Sequence, residues 1–293
     1  MKSNQRILLQ ILSSQSLHCR RLYLSYSISS IPNKAHTCSA ATMASPASPL
    51  PSDFLSTPSP NITFQKIDFT KTPIPEYAGL NAFIIDNALS KSECQTLVEA
   101  AEATTNGVWE QAMVNVGMGM QQLMKDVRDC GRIIWDSQAV VDAIWSRVSA
   151  LVLPEMEGLK NAPRITGAGP AKRGETWKLT RPNERMRFLK YGAGQYFKAH
   201  RDGCYVTPDG SEISFYTMHL YLNESDPSSK EGKLQGGATV FHYYETDKEL
   251  KVEPKVGRIL VFQHKHLLHS GEDVLGGIKM TLRTDLMYKR VEE

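Results

Sequence analysis

His200-Arg201-Asp202 sets an imidazole and a carboxylate two residues apart, and His264, His266 and His269 follow further along the chain. Two imidazoles and one carboxylate are borderline-to-hard donors that suit Fe(II), and held on one face of an octahedron they leave three adjacent positions open. On a strand or extended turn, positions 200 and 202 point to the same side and Arg201 to the other. Spacing alone leaves the third ligand open among the three downstream histidines. An isolated His-x-Asp is most often a surface hydrogen-bonding pair, so the pattern carries weight only with further residues.

What separates the three histidines is the residue ten positions on: Lys279 after His269, Val274 after His264 and Gly276 after His266. Around these positions stand Tyr191-Gly-Ala-Gly-Gln-Tyr-Phe-Lys-Ala-His-Arg-Asp202, Gly236-Gly-Ala-Thr239, Pro254-Lys-Val-Gly-Arg-Ile-Leu-Val-Phe262 and His269-Ser-Gly-Glu-Asp-Val-Leu-Gly-Gly-Ile-Lys279. In order and spacing these segments resemble the Fe(II)/2-oxoglutarate dioxygenases of the prolyl 4-hydroxylase type. The resemblance implies that His200, Asp202 and His269 bind iron and that Lys279 pairs with the 5-carboxylate of 2-oxoglutarate. It also implies that Tyr196 helps to hold that carboxylate. Thr281, on the same strand face as Lys279, is a further hydroxyl contact. Arg283 shares that face too, but four residues of strand span about 13 Å, so only one of the two cations is the principal partner. Spacing favours Lys279.

The implied cofactors are Fe(II), 2-oxoglutarate, O2 and ascorbate, the last to re-reduce iron. The implied reaction is hydroxylation of an unactivated C–H bond, with 2-oxoglutarate decarboxylated to succinate and CO2. A prolyl residue of a protein is the favoured substrate. The tail Arg283-Thr-Asp-Leu-Met-Tyr288 departs from the animal collagen-modifying enzymes, which keeps a free amino acid or other small metabolite as an alternative. A non-catalytic jelly-roll binding module is a further one. Arg187 and Tyr191, on the strand leading to His200, are expected to line the substrate pocket, together with Arg128 and Arg132. His219 and His242 read as core histidines satisfied by hydrogen bonds, with a place on the pocket wall as the alternative for either, and Cys204 as a small buried core residue, with an oxidation-sensitive place near the iron as its alternative.

These residues must be positioned by elements, and the pattern changes along the chain. Ala82–Ile85 reads as a strand, and Ser90-Lys-Ser-Glu93 as a capping box opening a helix to about Ala103. Apolar residues from Val141 to Val152 at helical spacing predict a second helix ending near Pro154. Between the helices, Met113–Ile134 resembles in position the loop that closes over substrate in related oxygenases, and its methionines suit an adaptable apolar lid; core methionines on a helix are the alternative. After Pro182 the pattern turns to strands, at 185–191, 213–222, 238–244, 257–263 and 278–288. Helices followed by short strands predict an α+β, mainly β fold: a double-stranded β-helix (jelly-roll) core with N-terminal supporting helices. Residues 1–60 read as a leader and Pro/Ser-rich linker, 61–180 as a helical support region and 181–293 as the jelly-roll core, with 61–293 one compact domain.

Residues 1–52 contain five cations and no acid, so this segment resembles an organellar transit peptide; Met43 is an alternative start. A cytoplasmic or mitochondrial location follows. Without those five cations, 29 Lys and Arg face 31 Asp and Glu. A body so close to neutral lacks the basic footprint of a nucleic-acid binder. No run approaches the roughly 20 apolar residues of a membrane span. Cys94, Cys130 and Cys204 lack zinc-finger spacing and read as reduced thiols. The partner is therefore a protein, a peptide or a small molecule, and the pattern does not set an oligomeric state.

Overall fold

The computed structural model describes residues 50–293, except 52, 58, 60, 118–119, 226–232 and 292–293. Most of the leader therefore lies outside the described residues, as does Met118 of the expected lid. Leu50–Glu293 forms one compact unit. No helix among the described residues is long and apolar enough to cross a membrane.

The protein is mainly β. Strands β1 (Thr63–Lys66) and β2 (Ala82–Asp86) precede helix α1 (Lys91–Ala103); β3 (Glu110–Gln111), the hairpin β4 (Val114–Gly117) and β5 (Met120–Gln122), and β6 (Gly131–Asp136) follow. Helices α2 (Gln138–Ser146) and α3 (Ser149–Met156), strand β7 (Gly158–Lys160), helix α4 (Ala168–Lys172) and strands β8 (Thr176–Pro182) and β9 (Arg185–Tyr191) lead to β10 (Phe197–His200). The remainder is strand: β11 (Glu212–Tyr221), β12 (Gln235–Gly236), β13 (Thr239–His242), β14 (Glu249–Val252), β15 (Ile259–Gln263), β16 (His269–Gly271), β17 (Val274–Gly276) and β18 (Lys279–Val291).

Two sheets matter for the site. The larger runs β1-β2-β15-β11-β18-β9-β6-β3, with β8 also paired to β18 and β7; the smaller runs β10-β16-β13-β14. All pairings are antiparallel. Central β15, Ile-Leu-Val-Phe-Gln, is buried at every position, as expected of a strand covered on both faces. The helices cover one side of the larger sheet, where Leu97, Val141, Ile144 and Val152 pack against Phe83, Phe188, Met218 and Val261.

Helix α1 has the expected capping box, with Ser90 and Glu93 exchanging hydrogen bonds. Glu93 also pairs with Arg147 at 2.7 Å, which ties α1 to the α2–α3 junction. The expected second helix is two. It breaks at Arg147 and Val148, the latter completely buried, and α3 runs through Pro154 to Met156. The expected lid loop is also more structured than its composition suggests. It contains the hairpin β4–β5, and its end is β6, which pairs with β9 along its whole length. The strand region likewise starts earlier than Pro182, because β2, β6 and β8 all join the larger sheet.

Candidate metal centre and its cavity

Strands β10 and β16 are neighbours, and their register sets His200 directly opposite His269. Asp202 lies just past the end of β10. One ligand atom from each of these three residues lies within 4.8 Å of the others, the only such cluster of three or more His, Cys, Asp or Glu among the described residues. Both imidazoles are oriented by the backbone: His200 Nδ1 is 2.8 Å from the Lys198 carbonyl oxygen and His269 Nδ1 is 3.2 Å from that of Leu267. Each Nδ1 therefore carries the proton, which leaves the Nε2 lone pair for a metal. The Nε2 atoms face Asp202 at 3.6 Å from His200 and 3.8 Å from His269.

Asp202 is held by the larger sheet. Thr217 Oγ1 donates to Asp202 Oδ2 at 2.5 Å, and Arg283 Nη2 lies 3.1 Å from Oδ1. Burial favours the neutral acid, but Arg283, His269 and His200 outweigh it and keep the carboxyl well below its usual range. Burial, with His200 alongside, pushes His269 down to about 3. The ionised carboxylate and neutral buried imidazole are the protonation states in which these groups ligate a metal. The donor set fits Fe(II).

The cavity over these ligands is walled by β9, β11 and β18 and includes Tyr191, Thr217, His219, Lys279 and Arg283. Lys279 is 3% exposed. Among the described residues no carboxylate lies within ion-pair reach of it; its Nζ sits against the rings of Tyr191 and Tyr221, at 5.3 and 6.0 Å. Burial pushes its amine down to about 8. Gly237 makes room for its stem, since a Cβ there would come within 3.1 Å of Lys279 Cδ. Arg283 is the opposite case. It is paired with both Asp202 and Asp285, at 3.1 and 3.2 Å. Thr281, between them on the same strand face, is completely buried behind the wall rather than on it, and its Oγ1 has no hydrogen-bond partner among the described residues.

Several expected pocket residues stand elsewhere. Tyr196 is off the cavity wall, with its hydroxyl 3.4 Å from the Asp126 carbonyl; the tyrosine on the wall is Tyr191. Arg187 is not on the wall because it is drawn to Asp285 at 3.2 Å. Arg132 is engaged by Glu110 at 2.7 Å on the edge pair β3–β6. Arg128 does line the cavity. His264 is buried against Asp285, at 3.6 Å, and His266 is exposed in a turn with φ +69°. Cys204 is exposed rather than buried. His242 has its expected hydrogen bond, Nε2 to Ser270 Oγ at 2.7 Å. His219 does not: it is on the wall, and its Nε2 has no partner among the described residues. Its alternation within β11 resembled that of a core residue, and no local signal separates the two.

Residues 186–284 match the family model described as the 2OG-Fe(II) oxygenase superfamily. No curated protein matches the chain. Similar solved structures include a viral collagen prolyl hydroxylase from Paramecium bursaria Chlorella virus-1 in a 2OG complex (20% identity, 72% of this chain and 97% of that chain, TM-score 0.44). A Pseudomonas putida prolyl-4-hydroxylase gives 16% identity, 74% and 96% coverage and a TM-score of 0.46. A Trichoplax adhaerens prolyl hydroxylase in complex with a hypoxia inducible factor oxygen degradation domain peptide fragment gives 18%, 70%, 82% and 0.47. The matched segment holds His200, Asp202, His269 and Lys279, so the chain carries a 2OG-Fe(II) oxygenase domain and is a 2-oxoglutarate-dependent dioxygenase.

Proposed function

We propose that this dioxygenase hydroxylates an unactivated C–H bond, with a prolyl residue of a protein as the favoured substrate, and that its two sheets are the halves of a double-stranded β-helix. The reading rests on one observation above all: His200, Asp202 and His269 converge in the same cavity as Lys279, a buried cation with no carboxylate in ion-pair reach among the described residues. The prolyl preference is supported by the motifs between Tyr191 and Lys279, which resemble the prolyl 4-hydroxylase type.

In this reading the two Nε2 atoms and the Asp202 carboxylate hold Fe(II). Bound Fe(II), with 2-oxoglutarate and O2, supplies the chemistry: oxidative decarboxylation to succinate and CO2 with transfer of one oxygen atom to substrate, ascorbate serving to re-reduce the iron. Lys279 neutralises the distal carboxylate of 2-oxoglutarate where the surrounding low dielectric strengthens the pair. Arg283 and Thr217 keep Asp202 ionised and aimed. Leu189, Phe197 and Phe262 form the apolar part of the wall and keep water out.

The test is O2-dependent succinate formation from 2-oxoglutarate by the full chain with Fe(II) and ascorbate, beside Asp202→Ala, first with proline-containing peptides. A free amino acid or small metabolite is the second reading, supported by the tail Arg283-Thr-Asp-Leu-Met-Tyr288, which departs from the animal collagen-modifying enzymes. Turnover stimulated by free amino acids and by no peptide would select it.

A further inference from the structure

A buried cation without a counterion costs several kcal/mol, so a protein that keeps one is built for an anion that arrives later. Among the described residues Lys279 is such a group, and Arg128 is a second. Arg128 is 8% exposed and lines the same cavity. Its guanidinium lies over the Phe197 ring, 4.7 Å from the centroid, and Nε donates to Cys130 Sγ at 3.3 Å. Among the described residues no carboxylate or backbone carbonyl accepts from Nη1 or Nη2; the ionisable groups around it are Tyr191 and Cys130.

These neighbours place it at the Lys279 end of the cavity. Tyr191, which faces Arg128, is also the ring under Lys279 Nζ and the residue opposite Lys279 in the β9–β18 register. Phe197, under Arg128, pairs with Gly271. A Cβ on Gly271 would lie 3.6 Å from Phe197 Cβ and 3.9 Å from Lys279 Nζ. Arg283, by contrast, is committed to Asp202 and Asp285.

We infer that Arg128 is the second cation for the distal carboxylate of 2-oxoglutarate, gripping with Lys279 the group that a 2-oxo monocarboxylate lacks. The inference rests on the dioxygenase reading. It adds a residue from outside the matched segment 186–284, carried on a loop fastened to the ligand strand. Asp129 N donates to the Tyr196 carbonyl at 3.0 Å, and Lys198 N to that of Val127 at 2.9 Å. The division of labour is chemical: the planar fork of arginine can take both carboxylate oxygens, whereas the ammonium acts as a point charge.

Calorimetric titration of the full chain loaded with Mn(II) tests this without turnover. The ligands are 2-oxoglutarate and 2-oxopentanoate, which has the same carbon chain without the distal carboxylate. Arg128→Gln should weaken 2-oxoglutarate by roughly 10- to 100-fold, the size of a charge-assisted hydrogen bond, and leave 2-oxopentanoate unchanged. Arg128→Lys should recover part of the loss, and it serves in place of Arg128→Gln if circular dichroism shows that variant unfolded. Unchanged 2-oxoglutarate affinity in both variants overturns the inference, including when substrate KM rises instead, and so does an equal loss for both ligands. If the wild-type chain takes up Mn(II) but no 2-oxoglutarate, the dioxygenase reading itself fails.

Discussion

The Leu267 carbonyl oxygen lies 3.2 Å from His269 Nδ1, and this contact decides which nitrogen of the imidazole is turned toward Asp202. His266, three residues earlier, is exposed. His269→Ala should therefore abolish Fe(II)-dependent succinate formation and lower Mn(II) affinity more than about 100-fold, since loss of a direct ligand exceeds the 10- to 100-fold typical of its supports. His266→Ala should leave both within about twofold. A reversal of the two results would move the third ligand.

Thr217 belongs to those supports. Its hydroxyl donates to Asp202 Oδ2 from the opposite sheet. Thr217→Val keeps the shape and removes the bond, and metal affinity should fall roughly 10- to 100-fold, with little change in melting temperature. Metal titration followed by electron paramagnetic resonance of free Mn(II) gives the number; unchanged affinity would reduce Thr217 to packing.

Lys279 and Arg283 should separate by what they damage. Lys279→Ala should raise the KM for 2-oxoglutarate by at least about tenfold, from loss of a charged hydrogen bond, with metal affinity intact. Arg283→Ala should chiefly weaken metal binding, because it frees the Asp202 carboxylate from its anchor. Burial holds the Lys279 amine at about 8, and a bound carboxylate would raise it again. Binding of 2-oxoglutarate near pH 8.5 should accordingly take up protons, seen as a buffer-dependent heat in calorimetry; a heat independent of the buffer would contradict the pairing.

His264 ties pH to stability. Burial opposes its charge, but Asp285, 3.6 Å away, and Cys204 outweigh burial and raise the imidazole to about 9. A group whose folded pKa is raised stabilises fully below its unfolded value, about 6.5, and loses that contribution as pH rises through 9. The difference in melting temperature between wild type and His264→Gln should be largest below pH 6.5 and shrink toward pH 9.5. The upper bound is about 3 kcal/mol at 1.36 kcal/mol per unit. A gap that widens with pH would reverse the sign of the argument.

Gly257 is required by geometry. Its φ is +72°, and a Cβ there would stand 1.8 Å from the Leu89 carbonyl oxygen. Gly257→Ala should cost about 3 kcal/mol or more, since backbone must move. Gly194→Ala, at φ +78° with open space around it, should cost only the roughly 1–2 kcal/mol of the left-handed conformation. Urea unfolding of both variants checks the ranking; equal losses would mean that the Leu89 contact relaxes freely.

The sequence by itself determined what depends on short-range order. The His-x-Asp spacing, the Lys279 offset, the Ser90 capping box and the alternating strands are local facts of residue type and period, and each element built from them falls close to its expected place. Tertiary structure decided everything that depends on which strands become neighbours. Pairing of β10 with β16 brings His269 opposite His200. Pairing of β18 with β9 puts Tyr191, not Tyr196, beside Lys279. Arg128, Arg132, Arg187 and Arg283 look alike in one dimension. Only the fold gives Glu110 to one, Asp285 to another and Asp202 to a third, leaving Arg128 without a carboxylate among the described residues. A cation's role is set by the counterion it meets, and that is a property of long-range contacts that no local spacing encodes.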